Sequence, residues 1–295
     1  ITNGDYVRPF LFGKIFTVLL VLVVLVIVYR LDYTILAGRS CKIAAVFLIL
    51  MTVSFYFFGW QINGVTWFLC IRGLTFSSRA LFLMYLPMFA GILYDYRNKG
   101  VDALFKIFLW MIAPVVSARI YGDITLPFAI FMLFSESILF MIALNKNWYR
   151  VNNLKVLTGM GIGFAASLAL FILRIMNSSD YQKMRLKIWL LHYGLTFGSV
   201  DTTDVEYMNY INRCLDNIFL RSNFIGKSDS AIEAVQLTPE ASVDYILTSI
   251  AATCGKLTVA VIMISLIILA VYVFRLSVKQ KNSLGSIVGC SCGIV

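Results

Sequence analysis

Seven long apolar runs limit what this chain can fold into more strongly than any other feature of its sequence. Hydrophobic residues make up 60% of the 295 residues and charged residues 14%, and the mean hydropathy is +0.85. A soluble protein of this size needs a charged surface to stay dispersed, so the composition indicates a polytopic membrane protein. A helix that crosses a bilayer needs about 20 apolar residues. The runs that approach this length are Phe10–Tyr29, Ile43–Trp60, Ala80–Tyr94, Leu104–Ala118, Ile124–Leu144, Val156–Leu173 and Tyr245–Phe274.

The predicted fold class is therefore all-α: a polytopic transmembrane helix bundle forming one membrane domain, residues 1–295. An eighth span is predicted to begin near Ser286 and to be truncated at the end of the given sequence. The third and fourth runs are short, and Pro87 and Pro114 each remove a backbone hydrogen bond that neighbouring helices must replace. The seventh run is long, and we expect Gly255 with Lys256 to mark a bend in it.

The basic residues predict how the spans are oriented. The alternate connections between spans are poor in Lys and Arg, with Arg72 and Arg79 in one and Arg119 in the other. Because cytoplasmic loops carry the excess of positive charge, the richer connections are predicted to face the cytoplasm. The N-terminus and the connection after the sixth span then face outward. The richer connections contain Arg30, Arg39 and Lys42; Arg97, Lys99 and Lys106; Lys146, Arg150 and Lys155; and Arg275, Lys279 and Lys281.

That outward connection, residues 177–244, is one large extracellular loop and the predicted functional site. It holds nine of the fifteen acidic residues and the single histidine of the chain. Within it, Tyr181–Leu191 has the pattern of a basic amphipathic helix lying in the membrane interface. Asp204–Leu220 is predicted to be helical, and Ser222–Asp229, which contains Gly226, is predicted to form a turn.

Two other classes of site are disfavoured by the sequence. The net charge of +10 resides mainly in short loops between apolar runs, as membrane topology requires, so we expect no nucleic-acid partner. The six cysteines show no metal-ligand spacing, and one histidine is too few for a His-based centre. Cys290-x-Cys292 lies in a Gly-rich apolar tail, which favours packing over metal binding. No residue is therefore predicted to be a metal ligand within the protein itself.

Short motifs occur along the chain in the order known from one family. The segment 237–247, Leu-Thr-Pro-Glu-Ala-Ser-Val-Asp-Tyr-Ile-Leu, resembles the LPE-x-x-x-D-[FY]-I signature of the SEDS family (RodA, FtsW, SpoVE), bacterial proteins of cell-wall growth, division and sporulation. The seven spans match the second to eighth of that family's ten. Other matching segments are Leu31-Asp32-Tyr33, Asn63-Gly64-Val65 with Trp67, Tyr121-Gly122-Asp123-Ile124-Thr125, Ile225-Gly226-Lys227-Ser228 and Leu284-Gly285, while Phe89 to Tyr94 with the following basic loop is similar to clostridial members.

The resemblance implies a peptidoglycan glycosyltransferase in the bacterial cytoplasmic membrane. Its substrate would be lipid II, an undecaprenyl-pyrophosphate-linked disaccharide peptide, and its partners membrane lipid and a class B penicillin-binding protein. A general base takes the proton from the acceptor hydroxyl, and cations stabilise the pyrophosphate leaving group. The base is predicted to be Asp201 or Asp204. No cofactor is assigned with certainty, and a divalent cation is left open. The substrate-binding candidates are Asp123, Arg213, Arg221, Lys227, Glu240 and Asp244.

Several alternatives remain open. The family's Glu-Glu after the LPE…D helix is here Ala252-Thr253, and its Ser-Glu-x-x-Lys is replaced by Ser78 to Phe82. These differences favour a non-catalytic scaffold for a penicillin-binding protein. Glu136 lies in the middle of a span, where a charge costs at least ~2.5 kcal/mol, so it should face the bundle interior. It also suggests a lipid or solute transporter. Simpler readings are a solvated Asp201 and helix capping by Glu240 and Asp244.

Overall fold

The computed structural model describes most of the chain. Its residues are 32–62, 65–71, 74–120, 126–149, 202–238 and 245–295, with separate helical positions within 19–30 and 156–169. The chain forms two compact units, Ile1–Leu168 with Val273–Val295, and Ala169–Tyr272. Most of the first predicted span, most of the sixth and the whole of the predicted Tyr181–Leu191 helix lie outside the described residues. The α-helices are α1 (Ser40–Phe58), α2 (Ser78–Leu83), α3 (Tyr85–Asp95), α4 (Val101–Ile120), α5 (Leu126–Asn145), α6 (Thr202–Arg221), α7 (Asp229–Leu237), α8 (Ile246–Cys254), α9 (Lys256–Lys279) and α10 (Ser283–Ile294).

The helical membrane fold predicted from the sequence is confirmed. Among the described residues, three helices are long and apolar enough to cross a membrane: Ser40–Phe58, Phe128–Asn145 and Lys256–Lys279. They correspond to the second, fifth and seventh predicted spans. The fourth predicted span is helical over Val101–Ile120 but is not one of the three. The number of spans therefore stays a prediction.

The third predicted span is interrupted at Met84, between α2 and α3. Pro87 lies in the first turn of α3, where a missing backbone N–H leaves no intrahelical bond unmade. Pro114, by contrast, lies inside α4, and the helix continues through it. The two prolines that the sequence singled out thus have different effects on the chain.

One short segment departs from the all-α prediction. Strands β1 (Gly59–Ile62), β2 (Val65–Ile71) and β3 (Leu74–Ser77) pair antiparallel in that order. The register places Ile62 opposite Val65 and Ile71 opposite Leu74. The residues of β2, Val-Thr-Trp-Phe-Leu-Cys-Ile, are rich in β-branched and aromatic types, which fit a pleated sheet. Apolar composition alone cannot separate such a strand from a helix.

The first unit packs its helices around aromatic side chains. Phe55 of α1, Phe82 of α2, and Tyr85 and Phe89 of α3 are all nearly or fully buried. Gly91 of α3 faces Ser40 at the start of α1, and a Cβ at Gly91 would collide with the Ser40 hydroxyl. This glycine therefore allows the close approach of α1 and α3.

The second unit contains α6, α7, α8 and the first part of α9. A small core of Ile218, Ala231 and Ala252 joins the first three helices. The predicted helix Asp204–Leu220 is confirmed as α6, and the predicted turn is confirmed between α6 and α7. Gly226 in that turn has a φ of +83°, a conformation that favours glycine.

The predicted bend at Gly255 is also confirmed, because α8 ends at Cys254 and α9 begins at Lys256. Gly255 has a φ of +97°. The turn after α6 pairs with both sides of this break. The backbone hydrogen bonds are Gly226 N to Cys254 O at 3.2 Å, Ser228 N to Ala252 O at 3.0 Å, Lys256 N to Asn223 O at 3.0 Å and Leu257 N to Phe224 O at 3.0 Å.

Candidate functional site

The structure describes only part of the site predicted from the sequence. Four of the candidates, Asp123, Asp201, Glu240 and Asp244, lie outside the described residues. The other catalytic candidate, Asp204, lies in α6, of which the structure describes the backbone at that position. These residues keep the roles predicted for them as hypotheses.

The three basic candidates are all exposed in the second unit. Arg213 and Arg221 lie on α6, about two turns and ~12 Å apart along the helix axis. Lys227 lies in the turn after α6, and its Nζ is 2.7 Å from Asp229 Oδ1. Both side chains of that pair are mostly exposed, so the pair contributes little to stability. The cations thus occupy separate positions along the surface, with Lys227 already bound to a carboxylate.

A groove between α6 and α8 brings together residues that the sequence pattern did not single out. Its volume is about 350 Å³, and it is lined by Leu215, Asp216, Phe219, Leu220 and Thr248. Asp216 is exposed and supplies a carboxylate beside apolar side chains. A pocket with apolar walls and few polar groups suits an amphipathic ligand.

Asp216 could have been found from the helical pattern of α6. Phe219 and Leu220 follow it at the spacing of three and four residues that places side chains on one face of a helix. The backbone of Asp204 lies just over three turns earlier, ~18 Å from that of Asp216 along the helix axis.

Tyr210 of α6 has a shifted pKa. It is half exposed, and a hydrogen bond to the Cys214 side chain raises its pKa above the usual range. The phenol therefore stays protonated well into the alkaline range and acts here as a hydrogen-bonding group. Within the part of the chain that the structure describes, no group of three His, Cys, Asp or Glu side chains could hold a metal ion.

Glu136 faces the interior of the first unit, as the sequence predicted. Its side chain is 0% exposed, and within the described structure neither carboxylate oxygen has a hydrogen-bond partner. The flanking hydroxyls do not serve it, because Ser135 and Ser137 each donate to a carbonyl one turn earlier, at 2.7 Å. The described residues also contain no basic partner for Glu136 at hydrogen-bond distance. Because an unpaired buried charge is costly, this environment favours the neutral form of the carboxyl.

The segment that differs from the SEDS pattern has a defined structural role. Ala252, where the family has an acid, is fully buried in the core of the second unit. The next residue, Thr253, is exposed, and its hydroxyl donates to Ser249 O at 3.0 Å. This stretch of α8 contributes packing and helix-internal hydrogen bonds, and it carries no carboxylate.

The fold is similar to that of a chain in a solved structure described as "Structural coordination of polymerization and crosslinking by a peptidoglycan synthase complex". The TM-score is 0.63 at 16% sequence identity, over 96% of this chain and 74% of that chain. At this identity the likeness establishes the shared fold, and function has to be argued from the site. The sequence matches no protein-family model and no curated protein.

Proposed function

We propose that this chain is a SEDS-type peptidoglycan glycosyltransferase that polymerises lipid II at the outer face of the cytoplasmic membrane. The observation that carries the proposal is the fold likeness over 96% of the chain to part of a peptidoglycan synthase complex. The ordered motifs, above all Leu237 to Leu247, support the same assignment. A class B penicillin-binding protein is the proposed partner, because glycan polymerisation and crosslinking are joined in that complex.

The proposed chemistry needs a base and a stabilised leaving group at the level of the lipid headgroups. Asp201 or Asp204 acts as the base that takes the proton of the acceptor sugar hydroxyl. Arg213 and Arg221, or a divalent cation, stabilise the charge that develops on the pyrophosphate. The groove beside Asp216 offers an apolar wall for the isoprenoid portion of the substrate, next to this polar surface.

The proposal is tested with purified full-length protein and fluorescent lipid II. We expect glycan chains from the parent protein and a loss of at least about 100-fold from the variant that lacks the base, either Asp201→Asn or Asp204→Asn. Asp229→Asn is the matched control, since Asp229 is an exposed acid whose ion-pair partner among the described residues is Lys227. Full activity in both aspartate variants would contradict the assignment of the base. If the parent protein bound lipid II but made no polymer, the proposed polymerase activity would be contradicted.

A non-catalytic scaffold is the second candidate, and the burial of Ala252 where the family has an acid favours it. It predicts no polymer under any lipid composition, together with co-purification of a class B penicillin-binding protein. A lipid or solute transporter is the third, suggested by the buried Glu136. The transporter hypothesis requires flux of a lipid or solute in proteoliposomes, and this flux should be lost in the Glu136→Gln variant.

A further inference from the structure

The turn after α6 presents large apolar side chains that the protein does not cover. Leu220, at the end of α6, is 75% exposed, and Phe224 and Ile225 in the turn are 66% and 69% exposed. Outside a spanning helix, exposed apolar side chains of this size mark a surface that contacts another apolar phase or partner.

The position of these side chains is set by the start of α9. Asn223 and Phe224 accept backbone hydrogen bonds from Lys256 and Leu257, each at 3.0 Å. The close contact at Gly255, where an added Cβ would lie 2.8 Å from Phe224 O, shows how tightly the two segments meet. The backbone of the turn is therefore in direct contact with the first turn of α9.

The helix that holds the turn is itself a lipid-facing span. Helix α9 is apolar along nearly its whole length, and none of its most apolar stretch is buried inside the protein. Its 24 residues extend ~36 Å, slightly more than the ~30 Å hydrocarbon layer, so Lys256 lies near one edge of that layer. Phe224, whose carbonyl accepts from Leu257 N–H, and the adjoining Ile225 therefore lie beside this end of the span.

Two basic side chains lie beside the turn, near the same end of α9. Lys256 Nζ is 3.4 Å from Leu220 O and 5.3 Å from the centre of the Phe219 ring, so its charge is held beside the turn. Arg221 is exposed immediately before the turn. Apolar side chains flanked by cations match a phospholipid surface, where lysine and arginine reach the phosphates and aromatic rings lie at the interface.

We propose that Leu220 to Lys227 is a membrane anchor in which Phe224 and Ile225 insert among the acyl chains at the bilayer boundary, and Arg221 contacts lipid phosphate. The bilayer is the occupant because the patch is continuous, through paired backbone, with a span that faces lipid. The anchor fixes the end of α6 at headgroup level, whatever reaction the protein performs.

The test uses the full-length protein in vesicles of phosphatidylethanolamine and phosphatidylglycerol, with photoreactive p-benzoylphenylalanine replacing Phe224 or, separately, Ile225. We expect phospholipid adducts on both, detected by mass spectrometry of the isolated protein. The same group at Ser230, an exposed residue of α7, is the control and should yield at least about tenfold less lipid adduct. The Arg221→Gln change should lower the phosphatidylglycerol share of the adduct at position 224, by up to about fivefold.

Equal lipid labelling at positions 224 and 230 would overturn the anchor, since proximity to lipid would then be unspecific. Adducts only to a second protein, or to no molecule while the labelled chain elutes as the folded species, would also overturn it. Neither result depends on glycan synthesis, so failure of the anchor and failure of the enzyme are separate outcomes.

Discussion

The carboxylate of Asp95 binds the start of α1, at Ser40, from the far end of another helix. Asp95 Oδ2 accepts from the Ser40 backbone N–H at 3.2 Å, and Oδ1 accepts from Gly38 N–H at 2.6 Å. Arg39, the residue at the N-cap position of α1, makes no capping hydrogen bond with its side chain. Asp95 therefore supplies, across more than fifty residues, the cap that the local sequence lacks.

Removing this cap should destabilise the first unit. In Asp95→Ala the two N–H groups lose their acceptor and the helix dipole loses its negative partner, at a cost of about 1 to 2 kcal/mol. Thermal unfolding in detergent should show a lower midpoint than for the parent. Glu233→Ala, which removes an exposed acid within α7, is the control and should leave the midpoint nearly unchanged. An equal shift in both variants would refute the capping role.

The two left-handed glycines of the second unit should tolerate alanine differently. Gly255→Ala adds a Cβ that would lie 2.8 Å from Phe224 O and 2.9 Å from Gly226 N, both backbone atoms, in addition to the strain of its positive φ. We expect a loss of about 2 kcal/mol or more. At Gly226 the added Cβ meets no atom within 4 Å, so only the φ strain remains, about 1 kcal/mol. Limited trypsin digestion at Lys227 and Lys256 measures the difference, and equal cleavage rates would contradict it.

Replacing Glu136 by glutamine should be harmless to folding. Because its carboxyl is fully buried without a hydrogen-bond partner in the described structure, Glu136→Gln removes an ionisable group and leaves a neutral side chain of similar size. We expect an unfolding temperature equal to or above that of the parent. A charged Glu136 paired with a cation would instead make the glutamine variant less stable by about 3 kcal/mol or more. Scanning fluorimetry at neutral pH decides between the two outcomes.

Filling the groove should weaken use of a lipid-linked substrate. Thr248→Trp places an indole in the space of about 350 Å³ between α6 and α8. If the groove receives the isoprenoid chain, the lipid II concentration for half-maximal polymerisation should rise about tenfold, which corresponds to ~1.4 kcal/mol. Gln236→Trp, at an exposed position on α7, is the control. An unchanged concentration dependence in Thr248→Trp would exclude the groove from substrate binding.

In the hairpins at 59–77, one short sequence motif supports two different predictions, a β-hairpin turn and a family resemblance. Asn63-Gly64 stands between the residues that end β1 and begin β2, and Asn-Gly is the strongest short hairpin signal when apolar residues flank it. The same dipeptide belongs to a segment that resembles the SEDS family, and that resemblance predicts no strand. The all-α class therefore describes the spans, and these three short strands are the exception to it.

The sequence by itself determined the features that depend on residues close together in the chain, namely the helices and the break between two of them. Apolar runs specify helices because a backbone in lipid has to satisfy its own hydrogen bonds, and Gly255 marks the break between α8 and α9 because glycine readily adopts a positive φ. The tertiary structure alone decided that Asp95 caps α1, that Asp216 lines a groove with Thr248, and that Glu136 is buried among the described residues without a partner. The Asp95 cap and the Asp216–Thr248 groove join residues far apart in the chain, and the missing partner of Glu136 depends equally on packing, which no local pattern encodes.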